Sequence, residues 1–400
     1  MGAAATPAMT RAGVVVVQDA DCSWAWAASR VGPVEPGVVA PERSAGQPAT
    51  THNEHFGHAD VVVQAGQVLG GVHVHGGPRP APDDSAWLRS CWESTMAAGA
   101  TVELRYLTRP DDSCLDTFLV VRTEGVDRDE TEHRAATLRA QLTMLPSRLS
   151  ATPVTEVAET HRVLEPFRAH GDGIVEIRKR VTVQRTSRDD ARHPWLTAVT
   201  PLSYRRQSWD ALWSEMAALP CHAMLSVGLI PWSVGHGLRA HLAARSDELA
   251  RLAQQGSSPT AGWHVPRPPD EFAVAAHALL SDAVRRYTDR AFHLRVSVAA
   301  ERPVPGVLAE LVADTISARD VNHGFAGAQP VVVRPSPEDL PVAWHNIVTL
   351  DFERLHAYAQ GHPVEAIGEL EHTLSTTVDL DEAAAAFRLP YRSPFVRTAG

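Results

Sequence analysis

The sequence predicts an α+β body preceded by a disordered N-terminal region that contains a short β-forming motif. Three observations carry this. From about residue 100 onward, stretches of strand and helix period alternate in two successive rounds, which suggests two split β-α-β lobes. Hydrophobic residues make up 44% of the chain and charged residues 21%, so a packed core can form over much of its length. Residues 1–50, in contrast, are rich in Ala, Gly, Pro, Ser and Thr and show no period beyond the valines of 14–17. Trp24 and Trp26 are out of place in such a region. A length of 400 residues corresponds to roughly two to three domains. The expected division is 1–51 disordered, 52–77 a signalling motif, 78–97 a linker, 98–260 the first α+β lobe or lobes, and 261–400 a second α+β and helical part.

The elements follow in order. Residues 78–86 alternate proline with polar residues and read as a stiff hinge. Residues 101–107 and 117–122 are β-branched and apolar between turn clusters, as strands are. Over 127–145, Ala135, Leu138, Leu142 and Leu145 recur at three- and four-residue steps, an amphipathic helix stopped by Pro146. Over 173–184, Ile174, Glu176, Arg178 and Arg180 alternate with Val175, Ile177, Lys179 and Val181, a strand with a solvated face. The second round gives strand 196–200, helix 208–219, strand 223–230 and helix 238–253. A proline-rich break at 266–269 precedes helix 271–287, strand 292–299 and helix 307–316. Helices near 352–358 and 381–386 complete the tail. No repeat of solenoid length is present.

Composition excludes several function classes. The formal net charge of −10 argues against a general nucleic-acid binder. Lys179 is the only lysine; every other basic residue is arginine. A P-loop needs a lysine after its glycines, and Lys179 stands in Ile177-Arg178-Lys179-Arg180 with no glycine loop before it. No G-x-S-x-G, H-E-x-x-H or G-x-G-x-x-G pattern occurs, so no catalytic constellation, cofactor or metal site is expected. Cys22, Cys91, Cys114 and Cys221 form no C-x-x-C pair and read as free thiols of a reducing compartment. No stretch approaches the ~18 apolar residues of a membrane span, and the start lacks a signal-peptide pattern, so a cytoplasmic protein without a membrane partner is expected. Gly235-His236-Gly237 reads as a helix start rather than a phosphate turn. Arg178, Lys179 and Arg180, with Arg185 and Arg188, form the one basic stretch. It reads as a solvated strand edge, with an acidic partner or nucleic acid as the functional alternative.

The stretch 52–77 stands apart. Val61, Val62, Val63, Gln64 and Ala65 make an uncharged run of high β propensity, Gly66 and Gln67 permit a bend, and Val68 and Leu69 resume the apolar character. After Gly70 and Gly71, Val72 and Val74 alternate with His73 and His75. Such segments can stack in register between chains as dry zippers with glutamine ladders. Asp60, Pro78 and Pro80 flank the run as gatekeepers. The alternative is an ordinary hairpin packed on the body. His52, His55, His58, His73 and His75 read as structural or solvated, with a metal site as the less economical choice.

On these residues the stretch resembles the bacterial amyloid signalling motifs related to the receptor-interacting-protein homotypic interaction motif. Their Val/Ile-Gln-x-Gly core is matched by Val63-Gln64-Ala65-Gly66, with Val68, Gly70, Gly71, Val72, His73 and Val74 following in order. The resemblance implies self-assembly with proteins that carry a matching motif, as in a prion-like signalling pair. The body resembles a second family. The segments from Arg134 to Leu142, Pro153 to Glu156, Val175 to Val181, Leu225 to Pro231 and Ala384 to Pro390 are similar to the N-terminal region of HerA/TraG-like ATPases of high-GC bacteria. There a phrase like Ala-Phe-Arg-Leu-Pro precedes the ATPase core; here the sequence ends ten residues after Pro390 and the core is lacking. No catalytic residue carries over. Together the two resemblances imply a non-enzymatic adaptor of a bacterial conflict system, with a P-loop ATPase encoded nearby as a partner. The alternative is the regulatory portion of a split HerA/TraG-like DNA translocase whose core is on another chain.

Overall fold

The computed structural model describes residues 11–34, 84–112, 114–146, 148–203, 207–260, 263–317, 329–363 and 365–391. The chain enters on a hairpin, β1 (Val15–Gln18) and β2 (Ser23–Pro33). Helix α1 (Ser85–Ala98) leads to the long hairpin of β3 (Ala100–Arg109) and β4 (Cys114–Gly125), then α2 (Arg128–Leu142), β5 (Leu149–Pro153) and α3 (Val157–Leu164). Next come β6 (Ile174–Arg178), β7 (Val181–Arg185), β8 (Trp195–Val199), α4 (Asp210–Ala217) and β9 (Ala223–Ser233). An excursion through α5 (His236–Leu252), β10 (Gly256–Thr260), β11 (Trp263–Arg267) and α6 (Glu271–Arg286) returns on β12 (Arg290–Ala300). The chain continues through α7 (Gly306–Ile316), β13 (Val331–Val333), α8 (Leu340–Thr349), a 3-10 turn (His356–Ala359), α9 (Glu369–Thr376), β14 (Thr377–Val378) and α10 (Leu380–Ala386). No helix among the described residues is long and apolar enough to cross a membrane.

The architecture is α+β, built on one sheet in the order β1-β2-β4-β3-β9-β12-β6-β13, with β5 on β2 and β14 on β12. Every pairing within it is antiparallel. Two expected lobes meeting at residue 260 therefore give way to one sheet, because β12 pairs with β9 along its full length from Arg290↔Ser233 to Ala300↔Ala223. A long strand satisfies most of its backbone groups at once on an equally long neighbour, and β9 and β12, eleven residues each, provide this for each other.

Two further expectations are corrected. Of the region 1–51, residues 15–18 and 23–33 are strands of the sheet: β2 pairs with β4 from Ser23↔Gly125 to Val31↔Thr117. Ala25 and Ala27 face one core, Trp26 and Ala28 the other, and Trp26 Nε1 donates to Thr349 O at 2.9 Å. This accounts for Trp24 and Trp26. Of the linker 78–97, residues 85–97 lie in α1, which buries Trp87, Leu88, Cys91 and Thr95 along one stripe and ends at Gly99 with φ 56. A left-handed residue there favours glycine.

The sheet has two unlike faces, because side chains alternate along each strand. On one, Val102 and Leu104 of β3, Val227 and Leu229 of β9, Val296 and Val298 of β12 and Ile177 of β6 pack under α1, α2, α4, α7 and α10. On the other, the register aligns Glu103 with Gly228 and Arg105 with Ser226, then Gly228 with Arg295, and Ser226 with Ser297, which faces Glu176. Strands β7 and β8 form a separate ribbon that packs on α5 and α6 around Leu196, Ala198, Leu249, Leu252, Phe272 and Ala276.

Candidate functional site

The expected motif, Val61, Val62, Val63, Gln64, Ala65, Gly66, Val68, Gly70, Gly71, Val72, His73 and Val74, lies outside the described residues. Its anchors lie inside them. On one side Val34 N donates to Arg148 O at 2.9 Å, just past β2. On the other, Asp84 is fully buried at the start of α1, accepts from the Tyr391 hydroxyl, and has its second oxygen 3.7 Å from Arg388 Nη1. The rings of Trp87 and Phe387 stack at 5.9 Å beside it. The stretch carrying the motif thus enters and leaves one packed body.

Within that body the polar sheet face holds a buried ion network. Glu103 accepts from Arg105 Nε through one oxygen and from Arg295 Nη2 through the other, each at 2.5 Å. Arg105 passes its remaining donors to Val163 O and Leu164 O, both at 2.7 Å, and to Ile347 O. Arg295 Nη1 donates to Asn346 O and Asp351 O. The Val163, Leu164, Ile347 and Asn346 carbonyls lie in the last turns of α3 and α8, where partial negative charge gathers, and Asp351 follows just after α8. The Arg295 guanidinium also lies 5.1 Å from the Phe352 ring centroid, and a Cβ at Gly228 would come within 3.1 Å of that ring. Further along the face, Glu176 accepts from the Tyr358 hydroxyl, and the Arg178 guanidinium sits 3.5 Å over the Tyr358 ring. Burial, then the Glu176 charge, pushes the Tyr358 hydroxyl well above its ordinary value.

The solvated face expected over 173–184 is therefore covered. Glu176 is buried beneath the 3-10 turn, and the strand stops at Arg178 rather than running to 184. The basic stretch is likewise not a solvated edge throughout. Lys179 is buried, with Nζ 2.7 Å from Tyr287 Oη, 2.5 Å from Thr377 O and 2.7 Å from Glu382 Oε1. Arg286 Nε bonds Asp379 at 2.5 Å and its Nη2 lies 3.2 Å from Glu382. Burial lowers the proton affinity of Lys179, and Glu382 opposes that effect. Arg188 is also buried, bridging Asp190 at 2.8 Å and Gln254 O at 2.8 Å. The Gly235-His236-Gly237 turn opens α5, with Gly235 as its N-cap.

These groups bind one another and the backbone. The signal for them stands in the sequence as charge alternating with apolar residues at Glu103-x-Arg105, Glu176-x-Arg178 and Arg295-x-Ser297. Single strands of this kind look half-solvated; only the strand order shows that they adjoin. Among the described residues no three His, Cys, Asp or Glu side chains gather as a metal site. No family model matches the chain, and no curated protein matches it.

Proposed function

We propose that the chain is a non-enzymatic cytoplasmic signalling adaptor that assembles through an amyloid-type motif at 61–74. The observation that carries this reading is the uncharged Val63-Gln64-Ala65-Gly66 core, with valines and glycines following it in the motif's sequence order, bounded by Asp60 and Pro78. It gains support from the anchoring of residues 34 and 84, since a stacking segment held at both ends carries a whole folded body into each assembly. It gains further support from the interior charges, which are engaged in structural pairs. The partners are proteins bearing a matching motif, in a conflict system that draws on a P-loop ATPase from another chain.

The test uses the full chain. Wild-type protein, seeded with fibres of a 53–77 peptide, should become thioflavin-positive and show the ~4.8 Å cross-β spacing. Gln64→Asp should prevent this, because in-register stacking would place like charges at that spacing. A peptide and a full chain that both stay monomeric would sink the proposal. The second reading, a regulatory part of a split DNA translocase, is favoured by one observation: the Ala384 to Leu389 phrase is buried in the body against α1. It predicts co-purification with an ATPase that Gln64→Asp leaves intact.

A further inference from the structure

Val-Val-Val-Gln occurs twice in the chain, at Val15–Gln18 and at Val61–Gln64. The second copy opens the expected motif, outside the described residues; the first is the whole of β1. β1 stands at one end of the sheet order and pairs only with β2, from Val15↔Trp26 to Gln18↔Ser23. β5 shares that side of β2 but pairs with residues 29–33 alone. Val17 is 49% exposed, and Gln18 is exposed as well.

The backbone of β1 has a free side. Antiparallel strands alternate residue pairs that exchange both backbone bonds with pairs that exchange none. Asp19 N donates to Cys22 O at 3.0 Å, one step beyond the Gln18↔Ser23 pair, so the alternation assigns the next bonded pairs to Val17↔Trp24 and Val15↔Trp26. The N–H and C=O of Val16 and Gln18 therefore point away from β2, and among the described residues no backbone group meets them there. An edge with open groups of this kind accepts a further strand.

We propose that this edge of β1 docks the Val61–Gln64 segment of a second copy of the chain, in parallel and in register; the proposal rests on reading 61–74 as a strand-forming motif. In that register Val16 N donates to Val61 O and Val63 N to Val16 O, while Gln18 N donates to Val63 O and Ala65 N to Gln18 O, which uses all four free groups. Gln64 lies over Gln18, the first rung of an amide ladder, and Val63 covers the half-exposed Val17. Charge selects the direction. Antiparallel pairing of the same residues sets Asp60 opposite Asp19; parallel pairing sets Asp60 opposite Val14 and Ala65 opposite Asp19. Residues 35–60 give the segment a tether of up to roughly 85 Å at full extension, long enough to meet a neighbouring chain. The strand at the other end of the sheet, Val331–Val333, is followed by Arg334 and has no glutamine to continue the ladder.

The test follows amide exchange by NMR in the full chain carrying Gln64→Asp, which places a carboxylate beside Asp19 in the same register and so keeps the chain's own copy off the edge. The probe is a capped peptide of residues 59–67. With about nine-tenths of the chains bound, exchange at Val16 and Gln18 should slow about tenfold, since only the free tenth exchanges. Gln18→Pro removes one outward N–H at an edge where proline is tolerated, so it should melt as its parent does and abolish the slowing at Val16. Val17→Lys, at a half-exposed position, should abolish it by charge and decides the matter should proline disturb the hairpin. Unchanged exchange at millimolar peptide overturns the proposal, as does slowing at Val181–Arg185 or Val331–Val333 in place of β1. In the wild-type chain the slowing should grow with protein concentration; slowing that ignores concentration marks the chain's own segment on the edge and overturns docking between copies. Fibre formation by the 53–77 peptide is scored separately. Fibres without slowing at β1 sink only this proposal, and slowing without fibres sinks only the assembly reading.

Discussion

Lys179 shows how much a single residue type can reveal once its surroundings are known. A lysine ammonium is strongly hydrated, and taking it from water costs several kcal/mol unless a carboxylate and hydrogen bonds replace the solvent. Glu382, Tyr287 Oη and Thr377 O do so here. Lys179→Met should therefore cost about 3–5 kcal/mol by leaving Glu382 buried beside Arg286 alone, while adding Glu382→Gln should restore part of the loss. Denaturant midpoints check this; equal stability of the single variant and the wild type would show that the pair does not hold the strap of β14 and α10. Asp339 gives a residue-level pH dependence. Burial alone would raise its pKa, yet His356 N and Ala357 N donate to it at 2.9 Å each and Ser336 Oγ at 3.0 Å, which holds it at about 2. A carboxyl with a lowered folded pKa adds stability that is complete above its unfolded value of roughly 3.9 and fades as pH falls through the folded value. Melting temperature should thus drop more steeply between pH 4 and 2 in the wild type than in Asp339→Asn. Parallel profiles would refute that account.

At the scale of elements, Glu103, Arg105 and Arg295 join two helix ends to the sheet. Glu103→Gln should destabilise the fold by about 3–5 kcal/mol, since both buried guanidiniums would lose their counter-charge. Amide exchange should rise first at the C-terminal turns of α3 and α8, whose carbonyls those arginines hold; a uniform rise across the sheet would instead indicate global loss of stability. Much of this secondary structure is legible in the sequence. The period of Ala135, Leu138 and Leu142 places α2, and the β-branched runs place β3, β4, β9 and β12. What escapes is whatever depends on neighbours. The alanines of β2 and α10 have low β propensity or none of the bulk that marks a core, yet they are buried because other elements cover them. The hinge-like prolines before residue 84 hide the start of α1, whose Trp87, Leu88 and Cys91 stripe has helical spacing. Arg178 and Lys179 are adjacent in a basic run, yet one takes its place over Tyr358 and the other inside the Glu382 pair. Ser375 and Tyr358 reach Arg178 only through tertiary structure, so no local spacing could have joined them.

At the scale of the molecule, the sheet makes the consequence of removing residues 11–34 plain, while that of replacing 52–77 depends on what the stretch does. Residues 11–34 supply Ala25, Ala27 and Val31 to the main core and Trp26 and Ala28 to the second, and β2 satisfies one edge of β4 over nine paired residues. Deleting 1–34 should expose that edge and both core surfaces at once. A long apolar edge strand is an aggregation template, so the truncated chain should be insoluble or lack a cooperative melt. For the stretch 52–77 two readings make different predictions. If it serves assembly, its replacement by a Gly/Ser segment of equal length should leave the melting temperature within about a degree, because loop composition at constant length changes closure entropy little. The same replacement should abolish seeded fibre growth. If it is instead a hairpin packed on the body, the exchange removes buried valines, and melting should fall by several degrees, in keeping with the 1–3 kcal/mol typical of lost core contacts. Calorimetry of the two altered chains beside the wild type therefore decides between a structural and a signalling stretch: an unchanged melt with lost seeding supports assembly, and a lowered melt refutes it.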